Sequence, residues 1–327
     1  MAIDLTPDDP EDLRDARTIF SHKISNLLLK TDRPPQVSEL ESEINKLRSE
    51  IHQKAQTLLE QKADSEQKEK QIRDLESKLE TLGEKQNLSH LLNRVGSAAQ
   101  QKLLTSPEFR ALFSQDSPCY AYVLSIDIRR STELMLKARE AKLYAQFIIT
   151  LASRLRDVIL ENYGIFDKFT GDGILAFFPE FYSGKDAGYF AIKAASDCHH
   201  IFTAYYEANK HCFISILKDI GLGIGMDYGL VHIVQVGGDF TVVGTPVVYA
   251  CRMGGADARH TFINQPAFEQ VFDRYSAVCD FDNREIDIKH EGKTLAYSVE
   301  LNGKSYFPTL PDWNTIIEEA SSTEGEA

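Results

Sequence analysis

Two aspartates in strand-and-turn contexts carry the first chemical signal. Asp127 closes an apolar run in SIDIRRST, and Asp172 stands between two glycines in DKFTGDGILAFF. Carboxylates at loop positions beside strand ends are hard oxygen donors, better suited to Mg²⁺ or Mn²⁺ than to zinc. Taken singly, each has an ordinary structural role, Asp127 as a helix cap and Asp172 as a turn former. The cluster Cys198, His199, His200, His211 and Cys212 is the other place where a metal can be imagined. Its spacing matches no zinc-ligand pattern and it lies within and just after a helical pattern, so it reads as helix packing.

The elements that must hold those aspartates are strands alternating with helices. Residues 120–126 (YAYVLSI) have the aromatic, β-branched and leucine content of a buried strand. Residues 131–162 are amphipathic and stop before Gly164. Residues 165–170 and 174–178 flank Gly171-Asp172-Gly173 as the two arms of a β-hairpin. A helix is expected over 187–209, strands near 222–226 and 231–236, and short helices over 247–254 and 265–275. Strands within 277–288 and 295–301 complete the pattern. The order βαββαβ with a carboxyl-terminal extension predicts an α+β, ferredoxin-like domain, an antiparallel sheet with helices on one face.

Upstream of this domain a heptad pattern holds one register for seven repeats. Position a is Val37, Ile44, Ile51, Leu58, Ser65, Ile72 and Leu79; position d is Leu40, Leu47, Lys54, Gln61, Lys68, Leu75 and Leu82. Only a 3.5-residue period keeps an apolar seam facing a partner helix, so a parallel coiled-coil dimer is expected, with weaker pairing at its polar middle. The alternative is one long solvated helix. Gly83 should end or interrupt the pattern, and apolar periodicity over 88–113 continues toward the next domain. The expected layout is an acidic amino-terminal segment (1–35), a coiled coil with connecting helix (36–117), the α+β domain (118–308) and an acidic disordered tail (309–327).

The chain has 327 residues and a formal charge of −13, which argues against a nucleic-acid partner by bulk charge. Most of the acidic excess lies in the flanks, since 118–308 carries 19 bases and 23 acids. No apolar run approaches a membrane span and the amino-terminus has no secretory profile, so a soluble, cytoplasmic protein is expected. The five cysteines form no Cys-x-x-Cys pair and read as buried free thiols.

Five fragments in order, SIDIRRST, DKFTGDGILAFF, GLGIGMDYGLVHIVQVGG, FTVVGTPVVYACRM and IDIKHEGKTLAY, resemble the catalytic domain of class III nucleotide cyclases over about residues 118–303. The resemblance implies that Asp127 and Asp172, helped by the Ile128 carbonyl, hold two divalent cations, Mn²⁺ or Mg²⁺, per site. It makes Arg252 the catalytic arginine that stabilises the transition state, and Lys289 the grip on the terminal phosphates. It has the turn at Ile128–Thr132, including Ser131 and Thr132, cradle the polyphosphate, and gives Lys168 and Thr241 the choice of base. In homodimers of this family the metal aspartates come from one subunit and the remaining residues from the other, so two shared sites are implied. A Lys–Thr pair normally suits adenine in this family. The usual ribose-orienting asparagine is Val248 here, however, and the usual aromatic-Thr pair after the first aspartate is Ser131-Thr132.

The segment IDIRRSTELM and the compact layout look most like the bacterial Pycsar antiphage cyclases, which make cyclic UMP or cyclic CMP. That narrower resemblance implies a uridylate cyclase acting on UTP during phage infection, with a separate cyclic-nucleotide-responsive effector downstream. Cytidylate cyclase, ordinary adenylate cyclase and a catalytically degenerate coiled-coil scaffold are the alternatives, in that order.

Overall fold

Two compact units, Met1–Gly83 and Glu84–Ala327, divide the chain. The computed structural model describes residues 37–113, 118–236, 239–255, 257–288 and 292–323; the expected amino-terminal segment 1–35 and Lys289 lie outside the described residues. The first unit is dominated by one helix, α1 (Val37–Asn87). It runs through Gly83 without a break. A lone glycine costs a helix only about 1 kcal/mol relative to alanine, which 51 residues absorb. On its heptad seam Leu58, Ile72 and Leu75 are exposed in the single chain.

The second unit opens with three short helices, α2 (Ser89–Leu92), α3 (Ser97–Thr105) and α4 (Pro107–Ala111). Then come β1 (Cys119–Arg129), α5 (Ser131–Leu136), α6 (Ala141–Glu161), β2 (Ile165–Phe169), β3 (Ile174–Pro179), α7 (Glu180–Ser183) and α8 (Ala187–Ala208). The remainder is β4 (Gly221–Val236), β5 (Asp239–Val243), α9 (Thr245–Gly254), β6 (His260–Ile263), α10 (Gln265–Tyr275), β7 (Cys279–Ile288), β8 (Gly292–Leu301) and α11 (Trp313–Thr323). The sheet order is β2-β3-β1-β4-β6-β8-β7, with β5 pairing on β4. Its first four strands are the expected ferredoxin-like unit, and the one parallel pair among the described strands is β4 with β6.

Both faces of the sheet are covered, not one. Leu124, Ile126, Ala176 and Ile224 pack against α6, α8 and α10 through Phe147, Leu151, Phe190, Phe202 and Val271. On the other face Val123, Ile165, Leu175, Phe177 and Ile233 meet Leu91, Val95, Leu103, Phe109 and Phe113 from α2–α4 and the segment after them. Trp313 of α11 packs against this second layer and donates its indole N–H to the Tyr182 carbonyl at 2.9 Å. Residues 309–327, expected as a disordered tail, thus include a helix held by an aromatic anchor. The near-continuous apolar run of β1 is what a strand buried on both faces requires.

Three further differences have local causes. The helix expected over 131–162 is split into α5 and α6. Residues 137–139 bond instead to the segment after α8, with Arg139 N–H donating to Cys212 and Ile214 N–H to Lys137, so tertiary pairing overrides helix propensity. The two strands expected over 222–226 and 231–236 are one 16-residue strand, β4. Cys198, Cys212 and Cys279 are buried as expected, whereas Cys119 is only partly buried and Cys251 is exposed, because Ala250 and Met253 take the buried face of α9. Among the described residues no helix is long and apolar enough to cross a membrane.

Candidate functional site

The hairpin β2–β3 and strand β1 build the carboxylate pair. Pairing runs Ile126 against Ile174, so the turn Thr170–Gly173 lands beside Asp127. Thr170 N–H donates to the Gly173 carbonyl at 2.9 Å, closing the turn, and Gly171 takes φ +83°, a conformation that favours glycine. A Cβ at position 173 would stand 2.3 Å from the Ile126 carbonyl oxygen, so only glycine lets the turn press so closely on β1. Asp127 lies within β1, two residues before its end, rather than in the loop beyond it.

Electrostatics records the closeness. Burial, and then repulsion from the Asp172 charge, push the Asp127 carboxyl above the ordinary carboxylate range, while Arg129 opposes the shift. Arg129 donates to Asp127 Oδ2 at 2.9 Å from the same side of the strand. The Ile128 side chain between them is buried. Two neighbouring, partly buried carboxylates with only oxygen donors fit a divalent cation: positive charge would offset both the burial and the added repulsion that raise Asp127. Among the described residues no three His, Cys, Asp or Glu side chains gather as a metal cluster, so a cation here needs main-chain or ligand oxygens besides Asp127 and Asp172.

Sequence reasoning passed over Tyr144 of α6. Its hydroxyl donates to the Ser131 carbonyl at 3.5 Å, and burial together with the Asp172 charge raises its pKa, so it borders the carboxylates. Ser131 and Thr132 begin α5 after Arg130, which adopts the left-handed conformation (φ 61°, ψ 29°) and gives the helix no side-chain cap. Amide N–H groups of that first turn are left for other acceptors.

Lys168 and Thr241 meet. Lys168 Nζ donates to Thr241 Oγ1 at 2.7 Å, joining β2 to β5. Thr241 in turn donates to Asp167 Oδ2 at 2.8 Å. Asp167 is fully buried, and Arg94 from the segment between α2 and α3 lies 3.4 Å from its other carboxylate oxygen. Burial raises the Asp167 pKa, opposed by Thr241, Lys168 and Arg94 in that order. Neither Asp167 nor Arg94 was singled out from the sequence. The only signal was the position of Asp167 immediately before Lys168 in DKFTGDG.

Arg252 is carried by α9, which lies directly on β4 and β1. Gly223 and Gly225 make that approach feasible, since Cβ atoms there would stand 2.3 Å from the Gly254 carbonyl oxygen and 2.1 Å from that of Ala250. The Arg252 guanidinium lies 5.8 Å from the centre of the Tyr249 ring, and Val248 on the same helix is 46% exposed.

No protein-family model and no curated protein matches the sequence. Solved structures do match the fold. The adenylyl cyclase CyaB from P. aeruginosa is 19% identical over 58% of this chain and 98% of its own, with a TM-score of 0.51. The guanylyl cyclase Cya2 is 21% identical over 61% of this chain and 100% of its own, also at 0.51. A bacterial light-regulated adenylyl cyclase is 16% identical over 77% of this chain and 70% of its own, at 0.50. The chain has the fold of adenylyl and guanylyl cyclase catalytic domains.

Proposed function

We propose that the chain is a nucleotide cyclase that converts UTP to 3′,5′-cyclic UMP and pyrophosphate. The observation that carries this reading is the Asp127–Asp172 pair, drawn together by a glycine turn on a cyclase-catalytic fold. Asp127, Asp172 and the Ile128 carbonyl would hold divalent cations, Mn²⁺ or Mg²⁺, which supply Lewis acidity at the ribose 3′-oxygen and neutralise charge around the α-phosphate. Arg252 donates its planar fork to the α-phosphoryl oxygens while the 3′-hydroxyl loses its proton to solvent, the bond from the 3′-oxygen to phosphorus forms and the bond to pyrophosphate breaks. The Ser131 and Thr132 turn, with Lys289, holds the β- and γ-phosphates.

Lys168 and Thr241 address the base. The Thr241 hydroxyl proton is committed to Asp167, so Thr241 offers only lone pairs, while Lys168 keeps two of its three N–H donors beyond the bond to Thr241. One donor beside one acceptor complements uracil O4 and N3–H. Cytosine in the same pose would set its N4 amino group against the ammonium, donor against donor. Guanine presents the same pattern as uracil on a larger ring, so ring size must separate them.

Two chains would pair through the α1 heptad seam, raising the effective concentration of their domains and completing two sites shared across a homodimer. The resemblance of IDIRRSTELM to antiphage cyclases supports a cytoplasmic second-messenger role, with a separate effector reading the product. The test is direct: incubate the purified chain with ATP, GTP, CTP and UTP and Mn²⁺, then separate the products. Cyclic UMP should dominate, and Lys168→Met should lower the rate with UTP much more than with CTP. A different dominant cyclic nucleotide overturns the base assignment; none from any triphosphate overturns the cyclase.

A further inference from the structure

The Arg94 guanidinium touches both strands that carry the base-reading pair. It donates to the main-chain carbonyl of Asp167 and approaches the Asp167 carboxylate at 3.4 Å, next to Lys168 on β2. It also lies 5.5 Å from the centre of the Phe240 ring, next to Thr241 on β5. Its own carbonyl accepts from Phe166 N–H at 2.9 Å, so the α2–α3 segment is stapled to β2 by main chain as well. Phe240 and Phe166 are buried, and the Arg94 side chain is only 13% exposed, so the contacts are rigid ones.

We infer that Arg94 is a positioning residue for base selection, fixing through Asp167 the distance and hydrogen-bond polarity of the Lys168–Thr241 pair. The chemistry runs in one chain. Asp167 has two carboxylate oxygens; Arg94 approaches Oδ1, which leaves Oδ2 to accept from Thr241, and this turns the Thr241 lone pairs toward Lys168. Without Arg94, a buried carboxylate is left with Lys168, 3.7 Å away, as its nearest cation. The ammonium should then be drawn onto Asp167 and away from the base. Arg94 follows α1 in the chain by seven residues, so the segment that leads out of the heptad helix is the one that holds the base-reading pair in place.

This inference rests on the cyclase reading for its catalytic consequence but not for its structural one, and the experiment has an arm for each. In the first, Arg94→Met, Arg94→Lys and unmodified full-length chains are compared on all four triphosphates, with kcat and KM measured separately. Arg94→Met should reduce the preference for the best nucleotide over the next by about tenfold or more, mostly through KM, because a hydrogen-bonding site owes its discrimination to placed donors. Arg94→Lys should recover part of the preference. In the second arm the rate of Lys168 acylation by an amine-reactive ester, read by peptide mass spectrometry, should fall in Arg94→Met as the ammonium is held by Asp167. A merely structural role would lower turnover of every nucleotide alike and leave Lys168 equally reactive. A preference kept within about twofold, or an unchanged acylation rate in a folded variant, overturns the inference. If no triphosphate is cyclised even by the unmodified chain, the cyclase reading fails and the acylation arm alone decides the role of Arg94.

Discussion

Asp167 and Asp172 belong to one hairpin, five residues apart, and differ in almost everything but their chemistry. Asp167 faces the second layer of the core. It is fully buried, and its oxygens meet a hydroxyl, a guanidinium and an ammonium. Asp172 sits at the turn, partly open to solvent; burial and then its charge raise Asp127, and among the described residues it forms no ion pair. A buried carboxylate with every oxygen occupied holds other groups in place. Two neighbouring carboxylates that share one guanidinium, that of Arg129 on Asp127, suit a ligand that brings further positive charge. On the proposed reading, the difference separates positioning from chemistry within one short segment.

The sharpest way to break that division is to remove the carboxylates in turn. Asp127→Ala and Asp172→Ala should each lower turnover at least about 100-fold with the far-UV spectrum unchanged, since on the proposed reading the lost groups ligate rather than pack. Retention of a tenth of the activity in either would end their assignment as cation ligands. Mixing Asp127→Ala with Arg252→Ala chains sharpens it further. In a shared-site homodimer half of the randomly formed dimers regain one of two sites, so about a quarter of the unmodified activity should return. Heterodimers that form and stay inactive would refute sharing.

Asp167→Ala should show the reverse balance. Removing one member of a buried ionic cluster leaves Arg94 without its carboxylate partner, which costs about 3 kcal/mol of stability. Denaturant unfolding would read it, and a loss below about 1 kcal/mol would place Asp167 among ordinary surface acids.

The sequence carried the two halves of this comparison unequally. Asp127, Asp172, Lys168, Thr241 and Arg252 sit in short fragments whose residue types are unusual together, and six of the eight described strands with four helix blocks were legible from apolar period and glycine punctuation. Arg94 and the covering role of α2–α4 were not, because Leu91, Val95, Leu103 and Phe109 have the same period whether a helix packs on a sheet or on another helix. The four-residue β6 is too short to show a period, and the arginine before it takes a left-handed turn (φ 69°) that no glycine announces. Trp313 was the one signal for α11, hidden in an acidic stretch.

The smallest expected effect is on stability and depends on pH. Asp127 has its folded-state pKa raised above the ordinary carboxylate value, by burial first and by Asp172 second. Between those two values the folded chain binds more protons than the unfolded one, so stability falls as pH rises through that window, and the penalty is fully present above it. Asp172→Asn removes the repulsive part. With cations chelated, the variant should therefore be more stable than the unmodified chain at pH 7.5. Both carboxylates are partly solvated and Arg129 already compensates, so the gain is only about 0.5 kcal/mol. In a domain of this size that is a Tm rise of about 1–2 °C. It should vanish below the ordinary carboxylate range, where Asp127 is protonated in both states, and should shrink in high salt. Adding Mn²⁺ should invert the order, raising the Tm of the unmodified chain and not that of the variant. A Tm that is unchanged or lower in the variant at pH 7.5 would mean that the two aspartates do not feel each other, and the division drawn from the hairpin would lose its electrostatic half.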